Sequence, residues 1–175
     1  MAGPVINVAD ARTRTEASGE HFAYSMTELA SALNAKAIGA NLTRIPPGKA
    51  AFPFHHHYGN EEHFFVISGS GVLRTSDQMH DIRKNDYIVN LPGGPEHAHQ
   101  LINTGSDELV FLAISSRIVP EVVGYPDSAK TGVRADSLDE ESSRFLVSDS
   151  SRNAMGYWDD EDGSQVLAIV SQKQS

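Results

Sequence analysis

The sequence predicts an all-β protein: a single jelly-roll barrel with an N-terminal arm and a C-terminal extension. Two observations lead there. Short runs rich in branched and aromatic residues recur through the middle of the chain, and Gly, Pro and Asn turns separate them. A chain of 175 residues and 19.0 kDa suits one such domain with a core of its own.

In chain order, residues 1–37 form the arm. Residues 10–20 are polar, contain Gly19 and predict a loop, and Thr27 to Ala37 is Ala/Leu-rich, predicting a short helix on the Leu29 and Leu33 pair. The barrel core spans 38–119, with strands at 38–45, 52–57, 62–68, 71–75, 79–83, 86–91, 97–103 and 108–116. Residues 120–175 form the extension. Pro, Asp, Ser and Gly are frequent there up to about residue 143, while 145–147 and 166–170 are apolar enough for added strands. Tyr157 and Trp158 are expected on the outside of the barrel. The segment holding Tyr125, Asp127 and Lys130 predicts a solvent-facing turn, with a lid over the barrel mouth as the alternative. Asp159 to Gly163 predicts a solvated acidic turn, because it lacks the ligand order of a calcium loop. The extension contains no histidine, so a second ligand-bearing barrel is not expected.

Charge and composition exclude several functions. A formal charge of -9 argues against nucleic-acid or anionic-membrane partners. The absence of cysteine removes disulfides, thiolate ligands and a cysteine nucleophile. No apolar run approaches a membrane span and Met1 to Met26 lacks a signal-like apolar region, so a cytoplasmic protein is expected.

The chemistry concentrates in the histidines, since six of eight (55, 56, 57, 63, 97 and 99) sit beside two turns. Residues two apart on a strand share a face, so His55 and His57 project together while His56 points away. Tyr58-Gly59-Asn60 then turns the chain, and a hairpin brings Glu62 back beside the pair. Glu62 shares a face with Phe64 and Val66, and Glu61 faces outward with His63. After the Pro92-Gly93-Gly94-Pro95 turn, His97 and His99 fall on one face of a returning strand.

These residues resemble the paired motifs of the cupin family. The first motif is Gly, five residues, His-x-His, three or four residues, Glu, six residues, Gly. Gly48, His55, His57, Glu62 and Gly69 match it, with six residues in place of five after Gly48. Pro92, Gly94 and Asn103 match the second motif, and Asn85 stands in its opening Gly position, a change that Asn tolerates because it visits the left-handed region. The family carries one histidine in this motif. His97 has its distance from Pro92, whereas His99 has its distance to Asn103. His99 is the expected ligand, because a turn absorbs an insertion at less cost than a paired strand absorbs a slip. The runs 99–105 and 125–130 resemble a bacterial subgroup of single-domain cupins.

The resemblance implies a divalent metal (Fe, Mn, Ni or Zn) held by His55, His57, Glu62 and His99. It further implies a metal-dependent enzyme, dioxygenase or isomerase/lyase, for a small carboxylate, enolate or hydroxyketone compound. The alternative is a sugar- or metabolite-binding module without turnover. His97 and His56 are the candidate catalytic bases, with His97 expected at the site's edge. A homodimer is expected as well, since Phe65 and Ile67 fall on the face opposite Phe64 and Val66 and need a cover.

Overall fold

In the computed structural model, residues 3–135, 144–148 and 156–173 are described. The strands are β1 (Thr13–Ser18), β2 (Phe22–Glu28), β3 (Ile38–Ile45), β4 (His56–His57), β5 (Glu62–Ser68), β6 (Ser70–Thr75) and β7 (Met79–Arg83). They continue as β8 (Tyr87–Asn90), β9 (His99–Ile102), β10 (Leu109–Ser116), β11 (Glu121–Tyr125), β12 (Lys130–Arg134) and β13 (Arg144–Ser148), and the chain closes with helix α1 (Ser164–Lys173). One sheet runs β1-β2-β3-β10-β5-β8. The ribbons β13-β12-β11-β4 and β7-β6-β9 make the facing layer, joined where His55 bridges His99. The fold is an all-β jelly roll, and the strand pairs among the described residues are antiparallel.

Alternation drives the packing. On β5, Phe64 and Val66 are buried while Phe65 and Ile67 are exposed, and β10 buries Leu109 and Phe111 against them. With Tyr24, Met26, Ile45, Leu73, Ile88 and Leu101 these residues form the main core. Burial of each such side chain contributes about 1.5–3 kcal/mol.

Two turn positions show why the motif residues are needed. Gly69 has φ 82°, and a Cβ there would lie 2.4 Å from the Glu108 carbonyl oxygen. Asn85, in the motif's glycine place, has φ 75°. Asn103 is fully buried: its Nδ2 donates to the Ile45 carbonyl at 2.7 Å and to the Asp107 carbonyl at 2.8 Å, while its Oδ1 accepts from the Gly105 amide at 2.9 Å.

The structure departs from expectation at both ends. The polar stretch 10–20 is not a loop, because Thr13–Ser18 pairs along its whole length with β2. Its polar side chains suit an edge strand with one face half in water, which composition alone mimics as a loop. In place of a helix over Thr27 to Ala37 there are the end of β2 and a short 3-10 turn at Ser31–Leu33. The apolar run 166–170 lies in α1 instead of a strand, burying Val166 and Ile169 at helical spacing and leaving Leu167 exposed. The Asp162 carboxylate accepts from the Ser164 amide at 2.9 Å and starts that helix. The strand expected at 145–147 is present as β13. Among the described residues no helix is long and apolar enough to cross a membrane.

The turn 125–130 is not solvent-facing at either end, since Tyr125 and Lys130 are both buried. The Lys130 ammonium meets Glu161 at 3.0 Å and the Tyr157 carbonyl at 2.9 Å, anchoring the segment before α1. Asp127, at the exposed tip, forms a bidentate pair with Arg74. Trp158 packs on Phe22 with ring centroids 4.9 Å apart and donates to Glu16 at 3.0 Å, so it seals the barrel's flank.

Candidate metal centre

Backbone pairing brings the histidines together. The His99 amide donates to the His55 carbonyl at 2.8 Å, and the His55 amide donates to the His99 carbonyl at 3.2 Å. Next to them β11 clamps β4, with Val123 opposite His57 and Gly124 opposite His56. Glu62 begins β5 and turns inward with Phe64.

Three imidazoles converge on one carboxylate oxygen. Glu62 Oε2 lies 3.1 Å from His99 Nε2, 3.5 Å from His57 Nε2 and 4.0 Å from His55 Nε2. Ligand atoms of His55, Glu62 and His99 all lie within 4.8 Å of one another. His57 stands further from His99, with ring centroids 6.4 Å apart.

The other ring nitrogens are held from behind. His55 Nδ1 lies 2.8 Å from the Pro53 carbonyl and His99 Nδ1 lies 3.3 Å from the His97 carbonyl. A carbonyl only accepts, so these Nδ1 atoms carry protons, and the Nε2 of each ring is the atom turned to Glu62. His57 Nδ1 faces Glu121 Oε1 at 3.7 Å, an ion-pair separation too long for a hydrogen bond. Glu121 is buried, and its Oε1 also accepts from the Gly59 amide at 3.3 Å.

The cluster polarises its own protonation. Burial brings the His55 pKa down from 6.5 to about 3, helped by His99 and His57. Burial would raise the Glu62 carboxyl, yet His57, His99 and His55 outweigh it and hold the group well below the usual carboxylate range. For His57 burial pulls downward, but Glu62 and Glu121 prevail and raise it, with Arg134 opposing them.

Two atoms each bonded about 2.1 Å from one ion lie at most about 4.2 Å apart. The three separations from Glu62 Oε2 meet that limit. A neutral-imidazole and carboxylate donor set fits a borderline divalent cation. The cluster opens on a cavity of about 200 Å³, walled by Phe52, Phe64, Phe111 and Tyr125, with Tyr125 stacked 6.2 Å from the His55 ring.

The remaining sequence candidates lie elsewhere. His56 is buried under β11, with Nδ1 2.9 Å from the Gly93 carbonyl, so it ties the two motif turns together and does not line the cavity. His97 sits in a 3-10 turn at Pro95–His97 that absorbs the extra residues, with Nε2 3.7 Å from Glu96. His97 is not among the described residues that line the cavity, nor in the Glu62 cluster. Glu61 and His63 face outward together, 2.6 Å apart, and His63 Nδ1 meets the Tyr87 hydroxyl at 2.6 Å.

A family model described as the cupin domain matches residues 41–115. Residues 41–115 are the stretch that resembles a cupin domain. Over 71 residues the protein is 30% identical to an oxalate-binding protein of Thermotoga maritima, covering 41% of this chain and 55% of that one. Over a further 71-residue match it is 28% identical to an uncharacterized protein of Methanocaldococcus jannaschii, covering 41% of this chain and 54% of that one. The chain thus spans about half the length of the curated relatives it matches. A solved structure, a provisionally assigned sugar phosphate isomerase of Acidithiobacillus ferrooxidans, is 26% identical, with TM-score 0.65 over 77% of this chain and 81% of that one. A cupin-superfamily sugar phosphate isomerase of Silicibacter pomeroyi shares the fold at TM-score 0.74 and 20% identity, over 87% of this chain and 98% of that one.

Sequence reasoning missed Glu121, Arg14 and Arg134, expected Tyr157 on the outside of the barrel, and discounted Tyr125. The last four line the cavity, and Glu121 backs His57. The branched pair Val122-Val123 was a usable strand signal for β11. Arg14 lay in a segment too polar to suggest one.

Proposed function

We propose that this protein binds one divalent cation through His55, His57, Glu62 and His99 and is an enzyme for a small oxygenated compound. Its substrate offers carboxylate, enolate or hydroxyketone oxygens. The observation that carries this reading is the arrangement of three Nε2 atoms around one Glu62 oxygen at the wall of a cavity of about 200 Å³. At about 30 Å³ per water, that space equals roughly seven waters, which suits a small metabolite.

Bound there, Fe, Mn, Ni or Zn would supply Lewis-acid polarisation of substrate oxygens, and a redox-active metal would add dioxygen chemistry. The chain's own contribution is positional. Carbonyls of Pro53 and His97 fix two imidazole tautomers, and the aromatic walls limit water around the reacting oxygens. Tyr125 and Tyr157 line the same cavity, and their phenols would be the groups to hold or pass a proton at substrate oxygen. Similarity to a provisionally assigned sugar phosphate isomerase and to an oxalate-binding protein supports an anionic, oxygen-rich ligand.

A second reading, a binding module without turnover, is favoured by one observation. Among the described residues lining the cavity there is no histidine or carboxylate outside the cluster. Assaying hydroxy acids, diketones, catechols and keto sugars with Fe(II), Mn(II), Ni(II) and Zn(II) separates the two. Oxygen consumption with Fe(II) selects an oxygenase, and turnover without oxygen an isomerase or lyase. Tight binding with no product under any metal contradicts the enzyme reading.

We further propose a homodimer formed on the outer face of β5 and β8. Phe65, Ile67, Tyr87 and Val89 are exposed side by side there, with Phe65 registered opposite Tyr87.

A further inference from the structure

Outside the histidine cluster, most polar side chains that line the cavity are already committed to partners. Asn60 Oδ1 accepts from the Ser116 hydroxyl at 2.9 Å and the Ile118 amide at 2.7 Å, and its Nδ2 donates to the Ile118 carbonyl at 3.0 Å. Ser116 in turn accepts from the Glu61 amide at 3.0 Å. Arg14, Arg134, Tyr125 and Tyr157 each have interactions of their own. Two neutral groups are left. Asn41 Oδ1 accepts from the buried Thr43 hydroxyl at 2.7 Å, which leaves Nδ2 as a donor without a partner among the described residues. The Ser115 hydroxyl likewise has no hydrogen bond among the described residues.

Strand register puts both groups on the face that carries Glu62. Ser115 of β10 stands opposite Glu62 of β5, and Ala113, two residues away and on the same face, stands opposite Asn41 of β3. Directly paired residues lie about 5 Å apart and diagonal ones about 7–8 Å, so Glu62, Ser115 and Asn41 step across the sheet away from the histidines. Gly39 faces Ser115 from β3, where a Cβ would come within 2.9 Å of the Ser115 hydroxyl oxygen. Glycine at 39 thus keeps room for that hydroxyl.

An amide nitrogen only donates, whereas a serine hydroxyl donates and accepts. Together they match a ligand hydroxyl, which accepts from Asn41 Nδ2 and donates to Ser115 Oγ. Water satisfies such groups in an empty cavity, and a methyl group that displaced the water would leave both unpaired. We propose that Asn41 and Ser115 are specificity-determining residues that bind a neutral hydroxyl of the substrate, on the carbon chain beyond the oxygens it presents to the histidine cluster. This rests on the metal-dependent reading above and narrows its substrate to a short polyhydroxylated acid or ketone.

Glycerate and 2-hydroxybutyrate form the test, because both chelate through the same α-hydroxy carboxylate and differ in a hydroxyl that replaces a methyl group. Each enantiomer is titrated by calorimetry into Mn(II)-loaded protein and into protein stripped of metal. Glycerate is expected to bind the loaded wild type about tenfold more tightly than 2-hydroxybutyrate, the scale of two neutral hydrogen bonds. In Asn41→Leu and in Ser115→Ala the ratio should fall to about threefold or less. Mn(II) and 2-hydroxybutyrate affinities should stay unchanged, which a general loosening of the sheet would not give. Equal affinities in the wild type, tighter 2-hydroxybutyrate, binding of neither acid, or a ratio that survives both substitutions would overturn the proposal. The wild-type comparison decides even where a variant fails to fold. A glycerate preference equally large in the stripped protein, and abolished by both substitutions, would refute the metal-chelate reading and leave the Asn41 and Ser115 site standing.

Discussion

His55 and His99 face each other across a two-hydrogen-bond bridge, with ring centroids 4.8 Å apart. The bridge makes two of the proposed ligands a property of strand pairing instead of loop conformation. Strand-mounted ligands are held more closely than loop-mounted ones, and these two are locked further by carbonyls behind their rings. The pairing therefore sets the positions of these two rings through the backbone.

Glu121 should tune the centre without joining it. It lies behind His57, whose Nδ1 is 3.7 Å away, and such outer partners typically contribute about 10–100-fold to metal affinity. Glu121→Gln is expected to weaken Mn(II) binding by about that factor while the thermal midpoint stays close to wild type. Calorimetry with Mn(II) checks it, and unchanged affinity would remove Glu121 from the account.

Asn103 should be a stability residue, not a functional one. Asn103→Ala leaves the Ile45 and Asp107 carbonyls and the Gly105 amide without their partner. Unsatisfied buried groups of this kind cost about 1–3 kcal/mol each, so with three of them a loss of at least about 3 kcal/mol is expected in urea unfolding. Metal stoichiometry in the surviving folded protein should be unaltered.

Acid should destabilise the metal-free protein. Folded His55 titrates at about 3 and the unfolded residue at 6.5, so the unfolded chain binds a proton that the native state refuses. Stability is then lost as pH falls from about 6.5 toward 3. Glu62 acts in the same direction, its depressed pKa giving stability that is present above 4.5 and fades below it. His57 has the opposite sign: its raised pKa contributes fully below 6.5 and is lost as pH rises through its folded value. Between about pH 6.5 and 4.5 His55 acts without opposition from His57, and Glu62 joins it below about 4.5. Thermal midpoints of chelator-treated protein should therefore fall steadily over that range, and a flat profile would contradict the protonation scheme.

The proposed dimer makes its own demand. Phe65→Asp places a charge in the exposed apolar patch of β5 and β8, where a monomer would tolerate it. Light scattering should give twice 19.0 kDa for the wild type and 19.0 kDa for the variant. A monomeric wild type would contradict the dimer.

Much of the site was legible because strand geometry is periodic. The two-residue offsets of His55 with His57 and of Glu62 with Phe64 could be read directly as shared faces. The choice of His99 over His97 followed from the low cost of a turn insertion, and the structure absorbs it in the Pro95–His97 turn. What escaped were residues whose placement depends on pairing with distant chain. Arg14 sits in a strand whose side chains are as polar as a loop's, and only its ladder with β2 makes it a strand. Tyr125 and Arg134 come from a Pro- and Asp-rich tail that nonetheless supplies two strands. The run 166–170 is apolar at every position, so neither a period of two nor one of 3.6 stood out.

The central claim is that His55, His57, Glu62 and His99 hold one divalent ion, and metal analysis tests it most directly. Protein purified without a nickel column would be measured for metal per chain by elemental analysis, beside the His57→Ala, His99→Ala and His97→Ala variants. The account predicts close to one equivalent of a first-row divalent metal in wild type and in His97→Ala, and at most about a tenth of that in His57→Ala and His99→Ala. Metal lost with His97 and retained without His99, or a metal-free wild type that takes up no Mn(II), Fe(II), Ni(II) or Zn(II), would contradict it.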